Sequence, residues 1–183
     1  MPSSDPRVLE GTCREIIIAN PKTVLDIGVG FGKWGMLARE YTDIWNFRFY
    51  KEEWTTHITG IEIHEAYRNP IWDIYNEVVI GDADSVLDLF ALDLFPEKDK
   101  HFDLTLMIDV LEHFEKDKGL EILNKVMKIS KQFIVSYANS EQKGVRDNKY
   151  EDHLSTWEDK DFRAYKRRLI SGGKGWGAYL LTK

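Results

Sequence analysis

Five short runs constrain most strongly what this chain can fold into: "TVLDIG", "HITGIEI", "EVVIGDA", "FDLTLMIDV" and "QFIVSYA". Each is nearly continuous in apolar residues, where a strand with one wet face would alternate apolar and polar. Such strands are buried on both faces, as in a parallel sheet covered by helices. Helical segments separate them. "DPRVLEGTCREIIIANP" carries Asp5 as N-cap, Pro6 at the first helical position and Asn20-Pro21 as its stop. "KWGMLAREY" brings Trp34, Leu37, Ala38 and Tyr41 to helical spacing. "EAYRNPIWDIYN" reads as a broken helix and "SVLDLFALDLF" as a short one ending near Pro96. "EKDKGLEILNKVMKIS" predicts a helix with Leu120, Leu123, Val126 and Met127 on one face. "DHLSTWEDKDF" starts another, capped by Ser155 or Thr156.

Alternating strands and helices with right-handed crossovers predict a doubly wound, Rossmann-like α/β layer. The last two apolar runs, "RAYKRRLI" and "GAYLLTK", are joined by the turn "SGGKGWG". So short a connection predicts an antiparallel hairpin at the sheet's edge. Residues 43–56, "DIWNFRFYKEEWTT", are aromatic and irregular, an insertion or a lengthened connection. With 183 residues and no repeat or low-complexity linker, one domain over 1–183 is expected.

Composition narrows the function classes. The net charge of −6 gives no basic footprint for a phosphate backbone, so nucleic acid is not an expected partner. Cys13 is the lone cysteine, which excludes an internal disulfide and a thiolate metal cluster and suits a reducing compartment. No apolar run approaches the roughly 20 residues of a membrane helix. "MPSSDPRVLEG" does not read as a signal peptide. A cytoplasmic protein without a membrane partner is the expectation.

In an open α/β sheet, ligands sit beyond the carboxyl ends of the strands. There the chain reads "LDIGVGFGKWG", with Gly28, Gly30 and Gly32 at every second position. Residues without Cβ atoms let the backbone turn sharply and approach a ligand closely. The dinucleotide fingerprint G-x-G-x-x-G would put its third glycine at Lys33, and a phosphate loop would need Ser or Thr at Trp34. Both phosphate readings are weakened. Acids then recur at strand ends. Glu62 follows the second strand, where a carboxylate can accept from both ribose hydroxyls. Asp82-Ala83 follows the third, suited to an adenine edge, and Asp109 follows the fourth.

The ordered set "VLDIGVGFG", "GIEIHEA", "GDAD", "LMIDVLEHF" and "FIVSYAN" closely resembles the class I S-adenosylmethionine-dependent methyltransferases, from about residue 20 to 140. The resemblance implies a seven-stranded sheet in the order 3-2-1-4-5-7-6, the seventh strand antiparallel. It implies S-adenosyl-L-methionine as cofactor, S-adenosyl-L-homocysteine as product, and no required metal. Asp26, Gly28, Val29 and Gly30 would hold the methionine end, Glu62 the ribose, and Ile63 a face of the adenine. Asp82 and Ala83 would read the adenine edge, and Asp109 and Val110 would line the wall between cofactor and acceptor. "NKYEDHLSTWEDKDF" has a weaker likeness to small bacterial methyltransferases of polysaccharide and small-molecule biosynthesis. The implied activity is methyl transfer to an oxygen or nitrogen of a small metabolite or sugar precursor. Nucleic-acid or protein methylation on the same fold, and cofactor binding without catalysis, are the alternatives.

Proton removal from an acceptor calls for a His or carboxylate. His153 and Asp109 are the candidates for it, and His113, Tyr150, His153 and Trp157 the candidates for acceptor contact. Each has a plainer reading. Asp26 caps the turn, Asp82 caps the next helix, His113 satisfies backbone groups, His153 is a solvated loop residue, and Tyr150 and Trp157 are packing. Lys33 points into water. Tyr41, Trp45, Phe47 and Trp54 form either a lid, a surface for a partner such as a second copy, or ordinary packing. "KRR" at 166–168 reads as protection of an edge strand.

Overall fold

The computed structural model describes residues 3–91, 102–143, 145 and 148–183. A 3₁₀ turn at Pro6–Val8 leads into α1 (Leu9–Ala19), followed by β1 (Thr23–Ile27), α2 (Lys33–Thr42) and β2 (His57–Glu62). Then come β3 (Glu77–Ile80), α3 (Ala83–Ala91), β4 (Phe102–Met107), α4 (Lys116–Ile129), β5 (Ser130–Ala138), β6 (Lys166–Gly173) and β7 (Trp176–Thr182). Asp5 and Pro6 open the 3₁₀ turn ahead of α1 rather than α1 itself, whose N-cap Val8 makes no side-chain cap, while Asn20 closes the helix as its sequence predicts. The Asp5 carboxylate accepts from the Arg7 N–H at 2.8 Å, and Asn20 takes a left-handed φ of 40° at the far end.

The strands form one seven-stranded sheet in the order β3-β2-β1-β4-β5-β7-β6. The first five are parallel, and β7 runs antiparallel to both β5 and β6. The chain turns back at β1, so β1 and β4 lie side by side while their crossovers diverge. Helices cover both faces. Because side chains alternate along a strand, Val24, Ile58, Leu104, Leu106 and Ile134 fall on the face covered by α1 and α2. Leu25, Ile27, Ile61, Phe133 and Val135 fall on the face covered by α3 and α4. The sequence shows unbroken apolar runs because both sides of each strand need apolar residues. Lys166, Arg167 and Arg168 do lie on the edge strand, where Arg168 pairs with buried Glu15 at 2.5 Å and ties β6 to α1.

Some local expectations shift. On α4 the buried stripe is Gly119, Ile122, Leu123, Val126 and Ile129, with Leu120 and Met127 at its border. The segment expected to begin a helix at Ser155 or Thr156 is extended. A single 3₁₀ turn follows at Asp159–Phe162, capped by Glu158. The broken helix is two separate 3₁₀ turns, Glu65–Tyr67 and Pro70–Ile74. Part of the helix predicted to end near Pro96 lies outside the described residues.

Residues 43–56 join the end of α2 to the start of β2, at the pole opposite the strands' carboxyl ends. They are therefore no lid over a site at those ends. Buried Arg39 and Asp43 anchor the segment. Asp43 accepts from the Arg39 and Arg48 guanidinium groups and from the N–H groups of Thr55 and Thr56. Trp54 stacks on Arg39 at 4.1 Å, while Trp45 and Phe47 are left exposed. Among the described residues no helix is long and apolar enough to cross a membrane.

Candidate functional site

The carboxyl ends of β1, β2, β3 and β4 surround a cleft of about 340 Å³, within the size range of small-molecule sites. The β1–α2 turn forms its floor. Gly28, Gly30 and Gly32 have φ of 81°, 53° and 91°, the left-handed region that side chains other than glycine rarely adopt. A Cβ on Gly28 would stand 2.4 Å from the Val110 side chain. Glycine is needed there both for its conformation and for the passage of the β4 wall.

Glu62 sits at the end of β2 and is 5% exposed. One carboxylate oxygen accepts from the Gly30 N–H and the other from the His64 N–H, each at 2.8 Å. The protein thus fixes one side of the carboxylate with backbone donors. Each oxygen keeps a lone pair toward the cleft that Glu62 lines. The Trp72 indole donates to the Gly30 carbonyl at 2.9 Å, so both polar groups of Gly30 are held. Nothing in the sequence marked Trp72 for this task.

Gly28, Val29, Gly30, Glu62, Ile63, Asp82, Ala83, Asp109, Val110, His113 and Tyr150 are all brought to this cleft. Asp82 also caps α3, its carboxylate accepting from the Ser85 N–H and hydroxyl at 3.3 Å. The capping and cleft-lining readings therefore hold together. Asp109 has a φ of 54°, and its carboxylate accepts from the Ser136 hydroxyl and the Asp5 N–H. Both oxygens engage protein donors, which suits a fixed charge better than a proton acceptor.

Three candidates lie away from the cleft. Asp26 does not line the cleft. It precedes the turn by one side-chain alternation, which directs it to the α2 face, where it accepts from the Tyr75 hydroxyl at 2.5 Å. Tyr75 in turn accepts from the Gly35 N–H at 3.0 Å. Burial pushes the Asp26 carboxyl up to about 7, against the Tyr75 hydrogen bond that lowers it. Trp157 is fully buried rather than a pocket wall. Gly119 of α4 leaves room for its indole, Lys116 lies 3.7 Å from its ring centre, and its N–H is donated to the Ser155 hydroxyl. His153 lies outside the cleft. It donates from Nδ1 to the Ser140 carbonyl at 2.6 Å and packs edge-to-face behind His113 at 4.9 Å.

His113, unlike His153, lines the cleft. Its Nδ1 is 3.1 Å from the Asp152 carbonyl, which can only accept, so Nδ1 carries the proton and Nε2 the lone pair. Burial lowers its pKa, the Asp152 bond pulls it back up, and the neighbouring His153 lowers it further. Beside it, Glu112 is pushed up to about 8 by burial and by the Asp109 charge.

Several lining residues escaped sequence reasoning. Lys33 is folded back against the cleft, donating to the Ser4 carbonyl and hydroxyl at 2.8 and 3.0 Å. Tyr67 donates to Glu151 at 2.5 Å and accepts from Asn148 at 2.9 Å, joining the β2–β3 connection to the segment after β5. The resemblance ran out near residue 140, and these contacts cross long stretches of chain.

No protein-family model and no curated protein matches the chain. Solved structures do. The bifunctional kinase-methyltransferase WbdD superposes with a TM-score of 0.63 at 15% identity, over 95% of this chain and 39% of that one. The chain thus spans about two-fifths of that protein. The N-terminal domain of EvdMO1, crystallised in the presence of SAH and D-fucose, matches at 0.63 and 14% identity, over 98% and 83%. PigF with SAH matches at 0.58 and 18% identity, over 98% and 62%. With its strand order and antiparallel seventh strand, this chain has the Rossmann-like fold of the class I S-adenosylmethionine-dependent methyltransferases.

Proposed function

We propose that this protein is an S-adenosyl-L-methionine-dependent methyltransferase acting on an oxygen or nitrogen of a small-molecule acceptor. The observation that carries the reading is Glu62, a nearly buried carboxylate held by two backbone N–H groups with lone pairs left toward the cleft. A ribose diol asks for that arrangement, and the glycine turn beside it leaves space that a Cβ would fill. The residues present therefore fit the cofactor. Glu62 would hold the ribose, Ile63 a face of the adenine, and Asp82 and Ala83 its edge. Gly28, Val29 and Gly30 would lie against the amino-acid end.

Bound there, the cofactor supplies a sulfonium methyl group. The chain's part is to orient, to exclude water and to manage a proton. Val110 and Phe114 give the β4 wall apolar surface next to His113. An acceptor hydroxyl must lose its proton as its bond to carbon forms, and a protonated amine must lose one before its lone pair can attack; His113 Nε2 is the cleft's acceptor for that proton. His153 supports that ring from behind. The acidic net charge and the neighbour crystallised with D-fucose favour a small acceptor over a nucleic acid.

Calorimetry with S-adenosylmethionine and S-adenosylhomocysteine tests the cofactor. Binding is expected, weakened roughly 10- to 100-fold in Glu62→Ala. A wild-type protein that binds neither refutes the reading. Labelled methyl transfer into fractionated cell extract tests the acceptor class. Label in the small-metabolite fraction is expected, and label in RNA, DNA or protein overturns that part.

A further inference from the structure

β5 outruns its neighbour. β4 last pairs with it at Met107 and Val135, and β5 continues through Ser136 and Tyr137 to Ala138. The Asn139 N–H turns toward β7, where the Gly175 carbonyl accepts it at 2.7 Å. By the alternation of an extended chain, the Ala138 N–H faces the side that β4 has left. A buried backbone donor stranded there costs free energy. Glu112, on the 3₁₀ turn Leu111–His113 after β4, stands in for the missing strand. Its Oε1 accepts from the Ala138 N–H at 2.9 Å.

The same residue meets the chain again where it returns. The Glu112 backbone carbonyl accepts from the Leu154 N–H at 2.8 Å and from the Ser155 N–H at 3.2 Å. The next side chain, His113, is held by the Asp152 carbonyl. Between these anchor points the chain makes an excursion that brings Lys149, Tyr150, Glu151 and Leu154 to the cleft. One residue therefore bonds both ends of the segment that forms this wall.

Glu112 is 1% exposed, and its Oε2 has no hydrogen-bond partner among the described residues. Burying a carboxyl group with one oxygen unpaired costs more than a single backbone hydrogen bond returns. Stability alone does not explain an acid at this position. Burial, with the Asp109 charge beside it, pushes the carboxyl up to about 8. It is thus mostly neutral at neutral pH, and its bond to Ala138 does not depend on a charge.

We propose that Glu112 is a positioning residue, a clasp that sets the wall formed by residues 149–154 and the direction of the His113 ring. Glu112 does not itself line the cleft, so it acts through the segment it closes and through His113. That this wall receives the acceptor rests on the methyltransferase reading; the clasp itself does not.

The test is amide hydrogen exchange and histidine NMR on the full chain, with S-adenosylhomocysteine calorimetry beside them. Glu112→Leu removes the side-chain acceptor. Exchange should quicken roughly 10-fold or more at Ala138, and also at Leu154 and Ser155, whose own acceptor is a backbone carbonyl that the substitution leaves in place. The His113 ring should lose its fixed Nδ1–H tautomer. Leu25 and Leu106, deep in the sheet, should keep their exchange rates. Glu112→Gln is the neutral isostere and keeps an oxygen for Ala138, so it should restore the three amides and the ring. Glu112→Asp, one methylene short of Ala138, should behave as Glu112→Leu does and carries the test if that variant does not fold. Affinity for S-adenosylhomocysteine should stay within about threefold in all three, because Glu62 and the glycine turn are untouched. Faster exchange confined to Ala138 would make Glu112 a local cap and overturn the proposal. So would an unaltered His113 ring, a Gln variant that behaves as Leu does, or a rise in exchange shared by Leu25 and Leu106. A wild-type protein that does not bind S-adenosylhomocysteine overturns the methyltransferase reading instead, and the exchange data then decide the clasp separately.

Discussion

Asp26→Asn separates a scaffold acid from a ligand contact and has a magnitude that follows from the structure. Asp26 is 1% exposed, and one carboxylate oxygen has no hydrogen-bond partner among the described residues. Burial, the largest influence, raises its pKa from 3.8 to about 7. The folded state therefore holds this proton more tightly than the unfolded chain does. Its contribution is fully present below about pH 4 and is lost as pH rises through about 7. At about 1.4 kcal/mol per pKa unit, the whole swing is roughly 4 kcal/mol. Over a third of it is gone by about pH 5, which leaves roughly 2–2.5 kcal/mol between pH 5 and 7.5. Asparagine cannot titrate, so the variant should lack this slope. The assay is urea unfolding of both proteins at the two pH values. The stability difference should move by about 2 kcal/mol in favour of the variant at the higher pH. Glu112 is also raised, to about 8, but it titrates in both proteins and cancels. A constant offset from the new amide cancels in the same way. Since Asp26 faces Tyr75 rather than the cleft, the variant should keep its affinity for S-adenosylhomocysteine. Parallel pH profiles, or lost cofactor affinity with an intact fold, refute the argument.

Two further outcomes are expected. Gly28→Ala puts a Cβ 2.4 Å from Val110 at a φ of 81° and should lower stability by roughly 1–3 kcal/mol, read by thermal unfolding. Cofactor affinity should fall with it, and a neutral substitution would show that the turn yields more easily than its geometry implies. His113 should titrate below the ordinary histidine value, with Nε2 unprotonated at neutral pH and Nδ1 on Asp152. Histidine NMR, assigned with His113→Asn, reads both features. A proton on Nε2 of the neutral ring would remove it as the acceptor's base. Glu151 and His153 face the same ring, so their variants should shift this titration without abolishing it.

Much of the fold was legible because its causes are local. Residues 23–27 carry apolar side chains on both faces, so they had to lie inside a covered sheet. Asp5, Pro6 and Asn20 mark the ends of the first helical segment through bonds to near neighbours. Gly28, Gly30 and Gly32 need their φ values wherever the turn sits. Glu62 was legible for a similar reason, since the end of a strand fixes where its next side chain stands.

Other features depend on which elements meet. Whether Asp26 reaches the cleft or the α2 face turns on a single side-chain alternation and on the hydroxyl of Tyr75, 49 residues away. Trp157 is packing because Gly119 leaves room for an indole, which no motif around Trp157 reveals. His113 lines the cleft and His153 does not, because the carbonyls of Asp152 and Ser140, distant in the chain from His113, set which ring faces it. Lys33 looked like a solvated helix start until Ser4 lay across it. By itself the sequence determined the sheet, its helices and the floor of the site, through burial on both strand faces and the backbone limits of glycine. Tertiary structure alone decided which charges face the cleft, because a side chain's direction is settled by neighbours distant in the chain.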